Sequence, residues 1–192
     1  MMTALWKIRD KIRQFQAANS GAAAVEFALI LPIMLMVYIG TTEASALIMM
    51  DRKIQSVAGA VGDLVARSDG TISKTTLTDY FAAASGIMNP YDSDQVKQVV
   101  TEVYVDSSGN AKVIWSRQYS GAGYAVGTDH AVNSAYPLPD AFIAISKGKY
   151  VIAADAQYSY KPLYGIVFDK AVNLNRENYF IPRFEGSITL TE

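Results

Sequence analysis

Gly21-Ala22-Ala23-Ala24-Val25-Glu26-Phe27-Ala28-Leu29-Ile30-Leu31-Pro32 opens the stretch whose reading decides the fold. From Phe27 to Thr42 sixteen residues carry no charge, and counted from Ala22 the apolar run is 21 residues long, interrupted only by Glu26. As α-helix such a run measures roughly 31 Å, about the thickness of a bilayer's hydrocarbon core. It is long enough to span a membrane. Lys7, Arg9, Lys11 and Arg13 precede it against Asp10 alone, and no comparable cationic group follows closely beyond Asp51, Arg52 and Lys53. The positive-inside bias therefore puts the N-terminus in the cytoplasm and the chain after about residue 45 outside.

Three readings of this segment compete: a secretory signal cut after the small-x-small triplet Ala44-Ser45-Ala46, an uncleaved anchor, or a leader cut before the apolar run. The carboxylate of Glu26 separates them. An ionised acid costs about 2.5 to 3.5 kcal/mol at mid-membrane on insertion scales and less near the interface, so a partner for it is expected. Cleavage after Gly21 supplies one, because the new α-amino group of Ala22 is a cation four residues before Glu26, about one helical turn away. In an assembly, the amine of one subunit can equally meet the carboxylate of a neighbour. Without cleavage, Glu26 would sit at headgroup level and reach water.

Downstream, Leu47, Met50, Ile54, Val57, Val61 and Leu64 recur at alternating steps of three and four, an apolar seam at helical period. No proline lies between Pro32 and Pro90, so one helix is expected from about Ala22 to Ala66, kinked at Pro32 and packed in its second half on its own domain. Ser68-Asp69-Gly70 reads as a stop, and Ser73 to Ala84 as a short second helix with Leu77, Phe81 and Ala84 on one face. Val96 to Val105 and Ala111 to Tyr119 read as a hairpin around Asp106-Ser107-Ser108-Gly109-Asn110, residues 120 to 140 as a long loop, and Lys149 to Tyr160 and Tyr179 to Leu190 as two more strands. Between those last two strands a proline-containing segment has room for one helical turn. The fold class is α+β, a long N-terminal helix on an antiparallel sheet of about four strands.

Composition removes several function classes. Across 192 residues, 17 Lys plus Arg meet 18 Asp plus Glu, a net charge of −1 that leaves no global basic field for nucleic acid. With no Cys there are no disulfide scaffold, thiolate zinc site or cysteine nucleophile. His130, the single His, lies beside Asp129 with Ser134 nearby, but adjacency in sequence is not a triad. Asp92/Asp94 and Asp106-x-Ser108-x-Asn110 lack the full loop of alternating calcium ligands, and Gly121-Ala122-Gly123 lacks the phosphate-loop pattern. Neither a cofactor, a metal nor an enzymatic activity is expected. Eleven of the twelve Tyr fall from Tyr80 onward, as suits half-buried strands or a contact face. Trp6 precedes the apolar run and can anchor at the interface.

The stretch Gly21 to Leu29, then Pro32, then Gly40-Thr41-Thr42-Glu43, resembles the N-terminal signature of the TadE-like pseudopilins of tight-adherence (Tad or Flp) pili. Tyr158-Ser159-Tyr160-Lys161-Pro162 and Ile181-Pro182-Arg183 are more weakly similar to terminal strands of such proteins. The resemblance implies cleavage by a membrane-embedded aspartyl prepilin peptidase, with Gly21 as the last leader residue, Ala22 as the mature N-terminus, and Glu26 with Phe27 as assembly residues. It implies a minor pilin or pseudopilin, structural or assembly-initiating. Its expected partners are the peptidase, other Tad pilins and pseudopilins, an inner-membrane assembly platform and the lipid bilayer. The domains that follow are a basic leader over 1–21, a long helix over 22–66 and an exported α+β domain over 67–192. The expected location is the inner membrane, single-pass, or the extracellular pilus after assembly. The alternative reading is a membrane-anchored exported binding protein or adhesin with an uncleaved signal anchor.

Overall fold

The computed structural model describes Lys11, Arg13 and residues 20–121, 123–166 and 169–191. Trp6 and most of the expected leader, Ala122 of the glycine-containing turn, and Glu192 lie outside the described residues. Helix α1 runs without interruption from Ser20–Ala66, 47 residues with Pro32 inside it, which at 1.5 Å per residue is roughly 70 Å. Its two halves live in different surroundings. Every residue from Gly21 to Tyr38 is exposed, whereas Met50, Ile54, Val57, Ala58, Val61 and Val65 are buried. The expected seam is thus present, with one shift: Val65 takes the buried place expected for Leu64, because a straight helix of 3.6 residues per turn drifts away from a strict 3.5 repeat.

The second half of α1 packs on a five-stranded antiparallel sheet of order β4-β3-β2-β5-β6, formed by β2 (Lys97–Val105), β3 (Ala111–Ser120), β4 (Gly123–Val126), β5 (Tyr150–Tyr160) and β6 (Val172–Phe180). Chain-distant ion pairs tie the helix down. Asp51 bonds Arg176 at 2.6 Å, and Asp63 bonds Arg183 at 2.8 Å as well as Arg67 one turn on. A short strand β1 (Thr71–Ser73) leads into helix α2 (Lys74–Ser85), capped by the Ser73 hydroxyl, which accepts from the Thr76 amide. Leu77 and Phe81 of α2 join Ile54, Val61, Val100, Ile152 and Ala154 in the larger core on the helix side of the sheet. On the other face, Val103, Val113, Val151 and Ala153 meet Tyr136, Leu138 and Phe142, the last from helix α3 (Asp140–Ser146). The sheet is therefore covered on both sides, which is why β2 and β5 are buried along almost their whole length.

The sheet has five strands where about four were expected, and the differences have local causes. Strand β4 lies inside the expected 120–140 loop, a four-residue extension that turns back after Gly121. Strand β6 occupies Val172–Phe180, earlier than the expected Tyr179 to Leu190. Its sequence Val-Asn-Leu-Asn-Arg-Glu-Asn-Tyr-Phe is polar because it is an edge strand, where strand-poor residues are tolerated on the exposed side. Residues 181–188, with Pro182 and Gly186, form instead a strap that ends in β7 (Thr189–Thr191), paired in parallel with β1. Among the described residues of the β5–β6 connection there is no helical turn.

Gly62 sets how closely α1 lies on the sheet. A Cβ there would stand 2.8 Å from the Ala154 Cβ and closer still to the Phe180 ring, whereas one at Gly59 would meet only Asn178 at 3.7 Å. Gly59→Ala should raise unfolding stability by up to about 1 kcal/mol through helix propensity. Gly62→Ala carries the same propensity gain, yet should lower stability by about 1 to 3 kcal/mol through overpacking. Denaturant unfolding of the two variants side by side checks this; equal shifts would show that the close approach is not tight.

Candidate functional site

The residues singled out in the sequence all lie on the free half of α1. Gly21, Ala22, Glu26 and Phe27 are exposed, and a Cβ at Gly21 would meet nothing within 4 Å. Ala22 and Glu26 stand one turn apart on a continuous helix, as i and i+4 positions do. Around Glu26 the surface consists of Val25, Phe27, Leu29 and Ile30, each more than half exposed. In the head such a surface would be core; here nothing of the head covers it. An 18-residue window in this helix reaches a mean hydropathy of 2.3 with none of it buried, which fits an anchor surrounded by lipid or by other helices. Pro32 costs one backbone hydrogen bond without ending the helix. Ala44-Ser45-Ala46 falls inside α1, and Ala46 already packs against the head's core.

The second boundary of the uncharged segment is Glu43. This carboxylate is only 2% exposed and accepts the Ile166 amide at 3.4 Å from the loop after β5. The free half of α1 is thus bracketed by two acids, one bare and one covered by the head.

His130, Asp129 and Ser134 do not converge on one another. The Ser134 hydroxyl donates to the Ala131 carbonyl, the Asp129 carboxylate takes Lys97 Nζ at 2.6 Å, and His130 Nε2 lies 3.8 Å from Asp155 Oδ2. Asp92 and Asp106 cap their own turns: Asp92 accepts from the Asp94 amide, and Asp106 from the amides of Ser108 and Asn110. Hydrogen bonding to those amides and to the Gln95 and Asn110 side chains holds both carboxyls below the usual carboxylate range. Gly121 donates its amide to the Asp94 carbonyl, so that segment is a structural turn.

Two further acids, not singled out in the sequence, are buried in the sheet. Glu102 accepts the Ile188 amide at 2.6 Å and the Ser187 hydroxyl at 3.0 Å, while Trp115 Nε1 donates to the Ile188 carbonyl at 2.8 Å. Burial pushes the Glu102 carboxyl up, opposed by those donors, and the trio fixes the C-terminal strap across the sheet end. Asp155, 3% exposed, faces Glu177 across the β5–β6 pair, and its pKa is pushed up to about 7 by burial first and by Glu177 second. Neither Asp155 oxygen has a hydrogen-bond partner among the described residues, which leaves its charged form without close compensation beyond His130 Nε2 at 3.8 Å. The available signal was a lone acid inside each apolar strand, Thr-Glu-Val and Ala-Asp-Ala.

A long apolar helix thus stands clear of an α+β head that grips only its far half. Residues 21–62 match the family model described as TadE-like protein, so the chain is similar to that family through the segment that carries these residues and the helix entering the head. The matched span ends before the sheet, and the weaker C-terminal likeness lies outside it. No curated protein and no solved structure matches the chain at a significant level.

A carboxyl whose folded pKa is raised from 3.8 to about 7 stabilises the fold fully below the unfolded value, and that contribution is lost as pH rises through about 7. The wild-type chain should therefore lose roughly 2 to 4 kcal/mol of stability between about pH 4 and pH 8 from this site. Asp155→Asn should flatten that slope and be the more stable protein at the alkaline end. Unfolding free energies for both proteins across this range test it; parallel pH curves would contradict the assignment.

Proposed function

We propose that this chain is a minor pilin or pseudopilin of a Tad-type pilus, cut after Gly21 and acting as a structural or assembly-initiating subunit. The observation that carries the reading is where the TadE-like match falls: it covers the free half of α1 and runs into the half that grips the head. A subunit must leave the bilayer to enter a filament, and it trades lipid for the apolar helices of its neighbours. That exchange is close to neutral for Val25, Phe27, Leu29 and the rest of the bare surface, because one apolar environment replaces another.

The charged groups are what direct the exchange. The α-amino group freed at Ala22 and the Glu26 carboxylate neutralise each other in a low-dielectric bundle, within one helix or between adjacent ones. A subunit placed out of register would bury both charges unpaired, at a cost of several kcal/mol. Prepilin peptidase, an inner-membrane platform and other pilins are the partners this mechanism requires. The head stays outside, and its tyrosine-bearing sheet contacts neighbouring subunits or surfaces.

Glu26→Ala tests the reading in cells. It should insert in the membrane normally, because removing the acid makes the span more apolar. It should then fail either in leader removal, seen as a larger band on immunoblots, or in appearance in sheared pili. Normal processing together with normal pilus yield would rule out the assigned role of the carboxylate.

A further inference from the structure

We propose that the loop following β5, residues 161–166, is a second membrane contact that seats in the headgroup layer of the outer leaflet beside α1. The uncharged stretch Phe27 to Thr42 provides roughly 24 Å of helix, short of the roughly 30 Å hydrocarbon core. With Glu26 held near the cytoplasmic boundary, Glu43 and the turn after it lie at the opposite one. The Ile166 amide bonds Glu43 at 3.4 Å, so the loop sits at the depth where the helix leaves the membrane. Tyr160, the last residue of β5, is buried next to the same carboxylate, and Glu43 contributes to holding its phenol above the ordinary range, after burial and Tyr91.

The loop's exposed side chains suit that depth. Leu163 is 82% exposed, and Tyr164 and Ile166 are each 59% exposed, three large apolar residues within four positions. Elsewhere on the head, Val126, Val132 and Ile145 stand singly in the sequence, and the strap's Ile181 and Phe184, 36% and 53% exposed, are fewer and less bare. Lys161 and Lys170 flank the loop and are exposed, with the exposed Asp169 beside Lys170, so the flanks carry a net charge of +1. A short apolar tip with Tyr at its centre and lysines at its flanks matches the layered polarity of a bilayer surface carrying anionic headgroups.

The loop does two things at once. Its amide gives Glu43 a donor at a depth where water is scarce, and its apolar tip fixes the tilt of the head over the membrane. A head held by one helix can swing; a head held at two points has a defined face toward its neighbours. Extraction into a filament would release this second contact.

The inference rests on α1 spanning the membrane, and the test separates the two. The chain has no Cys, so single-cysteine variants of the full-length protein accept one environment-sensitive fluorophore each. Three positions are labelled in vesicles of phosphatidylethanolamine and phosphatidylglycerol: Met34→Cys in the helix, Leu163→Cys in the loop, and Ser108→Cys in the distal β2–β3 turn. Lipids carrying nitroxides at shallow or deep positions then quench according to depth.

The Leu163 label should emit blue-shifted and be quenched several-fold more by shallow nitroxides than the Ser108 label, with Met34 quenched best by deep ones. A Leu163 label with water-like emission and no lipid quenching, beside a quenched Met34 label, would overturn the loop contact while leaving the span intact. Loss of Met34 quenching would remove the span itself, and the loop contact with it. Quenching of the Leu163 label that grows only with protein density would assign the patch to a second copy of this chain and overturn the lipid assignment.

Discussion

A carboxylate at the mouth of an apolar helix must find a positive charge or water, and the rest of the molecule is arranged around that constraint. Glu26 is one turn from Ala22, on a rod whose neighbouring side chains are Val, Phe, Leu and Ile. In lipid alone the acid is a liability. Where the proposed cleavage lets a neighbouring helix supply the ammonium, the same residue becomes a device for register, because only an alignment that brings the two charges together pairs them. In the proposed orientation the basic residues before the helix and the absence of charge between Phe27 and Thr42 serve the same end, favouring one direction of entry into a membrane and limiting its depth.

The head solves a different problem, which is to hold a helix whose other half is elsewhere. Apolar packing by Met50, Ile54, Val57 and Val61 supplies most of the attraction, and Gly62 lets the sheet approach closely enough for Ala154 and Phe180 to touch the helix backbone. Asp51–Arg176 and Asp63–Arg183 add direction, since ion pairs far apart in sequence resist rotation of the rod in its seat. The C-terminal strap closes the end of the sheet through Glu102, Ser187 and Ile188, so the last residues of the chain are bound into the same unit as the helix.

Local patterns carried most of this into the sequence. Helix α1 was legible because its two signals, an uncharged run and a three-four seam, join without a proline or glycine-rich break. Strands β2 and β5 were legible because they are buried on both faces and carry runs of Val, Ile and Ala, and β3 because its buried and exposed residues alternate at its start. Strand β6 was displaced in the reading because an edge strand shows its polar side, and Ile181-Pro182-Arg183 looked more strand-like than Asn173-Leu174-Asn175. The surroundings of the buried acids Asp155, which faces Glu177, and Glu102, which accepts the Ile188 amide, depend on partners 22 and 86 residues away, beyond any local pattern. The residues proposed for processing and assembly, Gly21, Ala22, Glu26 and Phe27, by contrast, sit within seven consecutive positions of one helix, so the proposal needed no tertiary structure.

The central claim concerns one peptide bond. Intact-mass analysis with N-terminal sequencing of the protein isolated from cells that make an active prepilin peptidase should give a chain beginning at Ala22, the 171 residues left when 21 of 192 are removed. A chain beginning at Met1 in those cells, or at Leu47, would contradict the account, because Glu26 would then lack its ammonium or be absent altogether.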